Sequence, residues 1–259
     1  MDYNIKVIDH TTSVSDHLAR YHYGGKESKT FTVMKGGVRV IVNGKMVVLA
    51  EGDIFNAEAW CPYNMTFLEN DTVVREISEE GCGTEFTLPD PAAWIDADKA
   101  QIREVSEKGK GIYQFDTKGM SLLLKVGRWQ LNGIREIWEC RIDNGYRIAF
   151  NDRSESESLF MIRSGLFRFE TDGAEFIAGS NGNDIVRIPA KTAYAFTAAS
   201  DDCVIQDFQV TCHLFRLLEM VEAAQDYFPE KLEEQEYIDY LFEANKVVAF
   251  ESFKKEENE

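Results

Sequence analysis

Between residues 30 and 86, apolar and polar positions alternate in short runs separated by turn residues. Val38, Val40 and Val42 alternate with Arg39 and Ile41, a period of two that predicts a strand with one face toward a core. Asn43-Gly44 is a two-residue hairpin signal, Gly52-Asp53 marks the next turn, and Thr72 to Ile77 reads as a further strand. Leu88-Pro-Asp-Pro91 breaks the sheet pattern. Residues 92–108, rich in Ala, Asp, Glu and Lys, read as an interdomain connection able to hold a short helix. Strands resume near Gly119 and run to about Val210. From Cys212 the period becomes helical: Leu214, Leu217, Leu218, Val221 and Ala224 form one stripe, and Tyr237, Tyr240, Leu241 and Ala244 a second, with Pro229 between them. These helices are expected to cover a barrel face or to support a dimer interface.

The strand pattern occurs twice. The first copy runs from Thr30 through Gly36, Gly44 and Gly52-Asp53-Ile54 to Cys61-Pro62-Tyr63. The second runs from Leu159 through Gly165, Gly173 and Asn183-Asp184-Ile185 to Thr192-Ala193-Tyr194. Gly36 and Tyr63 lie 27 positions apart, Gly165 and Tyr194 lie 29 apart. A unit repeated at about half the chain length implies duplication of one supersecondary module.

A length of 259 residues accommodates two domains, and 44% hydrophobic residues supply their cores. The formal net charge of −17 argues against nucleic acid and against an anionic membrane surface, both of which require a basic face. No run approaches the roughly 18 apolar residues of a membrane helix. The five cysteines form no C-x-x-C pair, so neither a zinc site nor a disulfide framework is indicated. With no apolar signal core in Met1 to Lys6, a cytoplasmic protein is expected.

The repeated unit resembles the cupin family, and the doubled form a bicupin, over residues of about 20–80 and 135–210. That resemblance implies an all-β chain of two jelly-roll, cupin-like antiparallel β-barrels with a short C-terminal helical segment. The expected divisions are residues 1–90 for the first barrel, 91–118 for the connection, 119–211 for the second barrel, and 212–259 for the helices and acidic tail. Family members of this kind hold a metal with three histidines and a glutamate, from the motifs G-x5-H-x-H-x(3,4)-E-x6-G and G-x5-P-x-G-x2-H-x3-N. Counted from Gly36, the histidine positions fall on His22 and Gly24 and the glutamate on Lys29. The second motif places Glu58 at the proline, Trp60 at the glycine and Tyr63 at the histidine. In the second copy, Ser158 takes the glutamate position, Asn151 and Arg153 (or Asp152 and Ser154) the histidines, and Tyr194 the last histidine, while Pro189 is kept. Lysine at the carboxylate position carries donors only and repels a metal. The resemblance with these departures predicts no metal and no cofactor.

The polar residues at those positions, with Arg187 on a strand of the second copy, are the candidate site. In the first cavity they are His22, Lys29, Glu58 and Tyr63; in the second, Arg153, Arg187 and Tyr194. His22 offers acid–base chemistry, Lys29 and the arginines a hold on a carboxylate or phosphate, and the tyrosines a hydroxyl or a cavity plug. Arg187 lies between Val186 and Ile188, so it faces either the cavity or solvent. His10, His17 and His213 read as non-catalytic, and Trp129 and Trp138 as core. The expected function is a metal-free bicupin that binds a sugar, sugar acid or carboxylate in a sensing or accessory role. The alternative is an enzyme: a metal-independent isomerase or epimerase, or a dioxygenase-like cupin metalloenzyme whose ligands lie elsewhere. A barrel kept only for dimerisation is a third reading. The expected partners are a small-molecule ligand and a second copy in a homodimer.

Overall fold

The computed structural model describes residues 5–11, 22–24, 28–42, 45–59, 61–79, 85–87, 105–117, 119–130, 136–152, 157–171, 174–179, 184–209, 220–221, 223–244 and 247–248. The chain divides into two units. One comprises residues 3–112 and 125–133, the other 113–124 and 134–259.

The first unit holds β1 (Ile5–Thr11), β2 (His22–Gly24), β3 (Lys29–Lys35), β4 (Gly37–Val42), β5 (Lys45–Ala50), β6 (Ile54–Ala57), β7 (Pro62–Phe67), β8 (Val73–Glu79), β9 (Glu85–Thr87) and β10 (Val105–Ser106). They form two antiparallel sheets, ordered β1-β8-β3-β6-β10 and β5-β4-β7-β2-β9. The later strands are β11 (Tyr113–Thr117), β12 (Met120–Val126), β13 (Glu136–Ile142), β14 (Arg147–Asp152), β15 (Ser158–Ser164), β16 (Phe167–Thr171), β17 (Ala174–Ala178), β18 (Ile185–Ile188), β19 (Ala193–Ala198), β20 (Cys203–Gln209) and β21 (Val247–Val248). Their sheets are ordered β11-β12-β13-β20-β15-β18 and β17-β16-β19-β14-β21.

Adding twelve to each number of β1-β8-β3-β6 gives β13-β20-β15-β18, and β5-β4-β7-β2 becomes β17-β16-β19-β14. The same eight-strand jelly roll is therefore present twice, as the repeated spacing predicts. Each copy is a pair of open sheets rather than one continuously bonded barrel: among the described residues no ladder joins the two sheets of a unit.

Alternation explains which side chains fill the interior. Val38, Val40 and Val42 of β4 are buried with Phe31 and Val33 of β3 and Tyr63 and Met65 of β7. Each such fully buried side chain contributes about 1.5–3 kcal/mol. In the second unit Phe160, Ile162, Phe167, Phe169, Tyr194 and Phe196 take the matching places. The duplication extends to irregularities. Ladder register slips between Val33 and Lys35 and again between Ile162 and Ser164. Gly36 and Gly165 follow these bulges, both at φ +76°, a left-handed conformation that glycine adopts without the Cβ clash. Asp53 accepts a hydrogen bond from the Ala50 amide at 2.9 Å, and Asp184 one from Gly179 at 2.8 Å. The two copies thus share turn chemistry as well as strand order.

Some expectations differ from the structure. Strands return at Val105, not near Gly119, so β10 and β11 lie within the stretch expected to be a connection. β1 was not foreseen, although Ile5, Val7 and the rest of Ile5–Thr11 pair with β8 along their whole length. Trp138 is fully buried as expected, whereas Trp129 is exposed on a 3-10 turn (Arg128–Gln130). Of the helical stripes, Leu214, Leu217 and Leu218 lie outside the described residues. Residues 220–221 and 223–227 are helical, and α1 spans Gln235–Ala244 after a 3-10 turn at Pro229–Glu233. Among the described residues no helix is long and apolar enough to cross a membrane. Cys61, Cys140 and Cys203 are buried free thiols.

Candidate functional site

Three adjacent strands of the first unit, β1, β8 and β3, bring ionisable side chains to the inner face. On β8, Val74 belongs to the core cluster, so the period of two turns Glu76 inward with it. On β3, Lys29 stands two residues before Phe31 and shares its face. On β1, His10 is the register partner of Val74. Phe31 and Glu76 are themselves register partners, which places the carboxylate between the histidine and the lysine.

The contacts are short. His10 Nε2 lies 2.8 Å from Glu76 Oε2, and Lys29 Nζ lies 3.1 Å from Glu76 Oε1. Ser78 Oγ donates to Glu76 Oε1 at 3.3 Å. Side-chain exposure is 12% for His10, 9% for Lys29 and 5% for Glu76. Burial pushes the Glu76 carboxyl up, but the His10 hydrogen bond and the Lys29 charge outweigh it and hold the group below its ordinary value. An ionised carboxylate only accepts, so in this contact His10 Nε2 donates to Glu76.

The rings lie beside this group. Phe31 stands 6.5 Å from the His10 ring and 5.4 Å from Tyr63, and Tyr63 stands 5.7 Å from Phe55. Tyr63 is fully buried within the core. His22 on β2 is the backbone register partner of Tyr63.

The sequence-predicted residues separate accordingly. The structure brings Lys29 and Tyr63 to one interior and aligns the His22 backbone with Tyr63. Glu58 is exposed in the turn after β6 and does not share the burial of Lys29. In the second unit Tyr194 is buried against Phe160, 5.6 Å away and edge-on. This is the same pair as Tyr63 with Phe31. Arg153 lies outside the described residues. Arg187 faces outward, because Val186 and Ile188 on either side occupy the core. It is 42% exposed and its Nη1 donates to Glu157 at 2.9 Å. Its placement in an inner cavity is therefore corrected.

His10 and Glu76 were not among the predicted residues. A signal for Glu76 existed: in Val73-Val-Arg-Glu-Ile77 alternation puts Glu76 with Val74 on one face. His10 had none, since the run Ile5–Thr11 mixes apolar and charged positions without a clean period.

The second unit has lost this arrangement. Register equates Glu76 with Asp207, His10 with Cys140 and Lys29 with Ser158. Burial, then the Asp207 and Glu139 charges, push the Cys140 thiol well up, so it stays protonated. Trp138 Nε1 donates to Glu136 at 3.0 Å in the same interior. Elsewhere in this unit a cleft of about 660 Å³ lies among the turns around Asp116, Asp143 and Asp201.

Strand order and interior together decide the architecture. The fold is a tandem cupin jelly roll. Solved structures agree at low sequence identity. Salicylate 1,2-dioxygenase from Pseudaminobacter salicylatoxidans superposes with a TM-score of 0.59 at 12% identity, covering 80% of this chain and 69% of that one. A mutant oxalate decarboxylase from Bacillus subtilis gives 0.53 at 13% identity over 80% of this chain and 69% of that one. Another structure of that decarboxylase, studied for its Mn(II) centres, gives 0.50 at 12% identity over 81% and 74%. No family model matches the chain, and no curated protein does. At these identities the likeness concerns the cupin fold, and chemistry must be argued from the side chains of this chain.

Proposed function

We propose that this cupin-fold chain is an enzyme whose first jelly roll performs metal-independent acid–base chemistry on a small organic carboxylate. The observation that carries the reading is the buried His10–Glu76–Lys29 group, a histidine oriented by an ionised carboxylate beside a buried ammonium. His10 Nδ1 takes a proton from a carbon next to the substrate carbonyl or carboxylate and returns it. Glu76 fixes the tautomer and stabilises the imidazolium that forms. Lys29 draws the anionic end of the substrate inward and stabilises charge developing on its oxygen. Proton removal and return of this kind is isomerase or epimerase chemistry. The two fold neighbours named above act on oxalate and on salicylate, both carboxylates, which supports that substrate class.

The cupin fold also raises a metal centre, and the residues described here do not fit one. Lys29 stands at the carboxylate position of the motif and its ammonium is 3.1 Å from Glu76, so a second cation beside that carboxylate meets a like charge at close range. Among the described residues no group of three or more His, Cys, Asp or Glu side chains is arranged to hold a metal ion. The proposed chemistry uses the chain's own residues.

The test is deuterium incorporation from D2O, read by proton NMR, into pyruvate, lactate and glucuronate. The wild-type chain should label at least one of them, and His10→Gln should slow labelling on the order of 100-fold or more. Labelling equal in His10→Gln and wild type, or no labelling of any member, would sink the proposal. Stoichiometric manganese, iron or zinc in the purified protein, lost with His22→Ala, would replace it with a metal enzyme.

A further inference from the structure

A second surface carries information that the jelly-roll interiors do not. Past the last strand of the second jelly roll, helical residues 223–227, the Pro229–Glu233 turn and α1 lie on that unit. Their inner side is accounted for: Met220, Val221, Leu232, Tyr237 and Ile238 pack against the core, and Leu241 is buried within it. Their outer side is not polar throughout. Tyr227 is 75% exposed, Phe228 54% and Tyr240 58%. Tyr227 and Phe228 adjoin at the end of the helical residues 223–227, 6.5 Å between ring centroids, and Tyr240 follows in α1. Three such exposed rings within fourteen residues of chain are more apolar exposure than a solvated surface needs, and exposed apolar patches mark interaction sites.

The rim around these rings has one sign of charge. Between residues 223 and 244 there are seven carboxylates and a single cation, Lys231, and all seven carboxylates are exposed. Lys231 is engaged within the patch: its Nζ lies 5.7 Å above the Tyr237 ring and 3.7 Å from Glu234. A cation seated between a ring and a carboxylate is the contact that the rest of the patch offers to a partner.

We infer that this face, Tyr227, Phe228 and Tyr240 with their carboxylate rim, docks an arginine-rich protein segment that carries apolar anchors. Charge complementarity selects that occupant. A second copy would set seven carboxylates against seven across an interface narrower than the Debye length of about 8 Å. Nucleic acid and anionic lipid are repelled in the same way. Arginine satisfies both components at once, since its plane stacks on aromatic rings and its fork pairs with carboxylates.

The experiment uses the full chain and fluorescence anisotropy at physiological salt. The probe is a labelled peptide of four arginine–leucine repeats, and four glutamate–leucine repeats serve as control. The arginine peptide should bind saturably and the glutamate peptide should not. Removing rings at constant charge, Tyr227→Ser with Tyr240→Ser, should weaken binding about fivefold or more. Neutralising the rim, Glu230→Gln with Glu233→Gln and Glu234→Gln, should weaken it about tenfold. The same charge change on the first unit, Glu51→Gln with Glu69→Gln and Asp71→Asn, should cost less than about twofold. Equal weakening by both sets of charge variants, no effect of the tyrosine changes, or no saturable binding would overturn the inference. A dimer that becomes monomeric in the tyrosine variant would also overturn it, by showing that a second copy covers the face.

Discussion

Replacing Glu76 by Gln keeps volume but removes the charge that lies between two basic groups. Lys29 then loses the carboxylate 3.1 Å from its ammonium, and its side chain is only 9% exposed. Breaking a buried pair from one side costs about 3–5 kcal/mol, because the surviving charge stays desolvated. At about 2–4 °C per kcal/mol for a chain of this size, a 3 kcal/mol loss lowers the melting temperature by roughly 6–12 °C. The pair is isolated by a cycle with Lys29→Met. The double variant removes both charges, so it should be more stable than the sum of the single losses by about 1–3 kcal/mol. Acid supplies a second reading of the same contact. The folded pKa of Glu76 is depressed, so its stabilising contribution is complete above the ordinary value of 4.5 and disappears as pH falls through the lower folded value. The stability gap between wild type and Glu76→Gln should therefore be widest near neutral pH and should close below about pH 4.5. Urea unfolding at a series of pH values measures all of this. A Glu76→Gln loss within about 0.5 kcal/mol, as at an ordinary surface site, would refute the buried triad.

Three further outcomes follow from other parts of the chain. Gly36→Ala and Gly165→Ala should each destabilise by about 1–3 kcal/mol. Both sit at φ +76°, and a Cβ would press on Thr72 at the first and stand 2.6 Å from Cys203 Sγ at the second; denaturant midpoints check this. Tyr194→Ala should cost about 3–5 kcal/mol and Tyr194→Phe much less, since the ring packed on Phe160 carries the contribution; calorimetric melting separates the two. Arg187→Ala should change stability by no more than about 1 kcal/mol, because its pair with Glu157 is half in solvent.

Sequence and structure agree most where a residue's position follows from a local rule. The two jelly rolls were legible because Gly36 and Gly165, the Asp53 and Asp184 turns and the valine alternation of β4 are all short-range signals. The interior triad was not, because it depends on three strands far apart in the chain meeting in one register. His10 and Glu76 are 66 positions apart. Motif counting reached Lys29 and Tyr63, both buried in the first unit. Arg187 came from alternation with Val186 and Ile188, which separates two faces without saying which is the inner one; the structure puts Val186 and Ile188 in the core. Tyr240 was expected in a covered helical stripe with Tyr237 and Leu241. In α1 the inward face runs through Tyr237, Ile238 and Leu241, and Tyr240 is left outside. A stripe of four apolar residues does not say which of them meets a core.

The most direct measurement is calorimetric titration of oxalate, a carboxylate with no carbon-bound proton to exchange, into the wild-type chain, Lys29→Met and Arg187→Met. The proposed site predicts saturable binding to wild type, unchanged binding to Arg187→Met and loss of binding to Lys29→Met, with Lys29→Met still folded by circular dichroism. Binding that survives in Lys29→Met, or that is lost only in Arg187→Met, would contradict a carboxylate site in the first jelly roll.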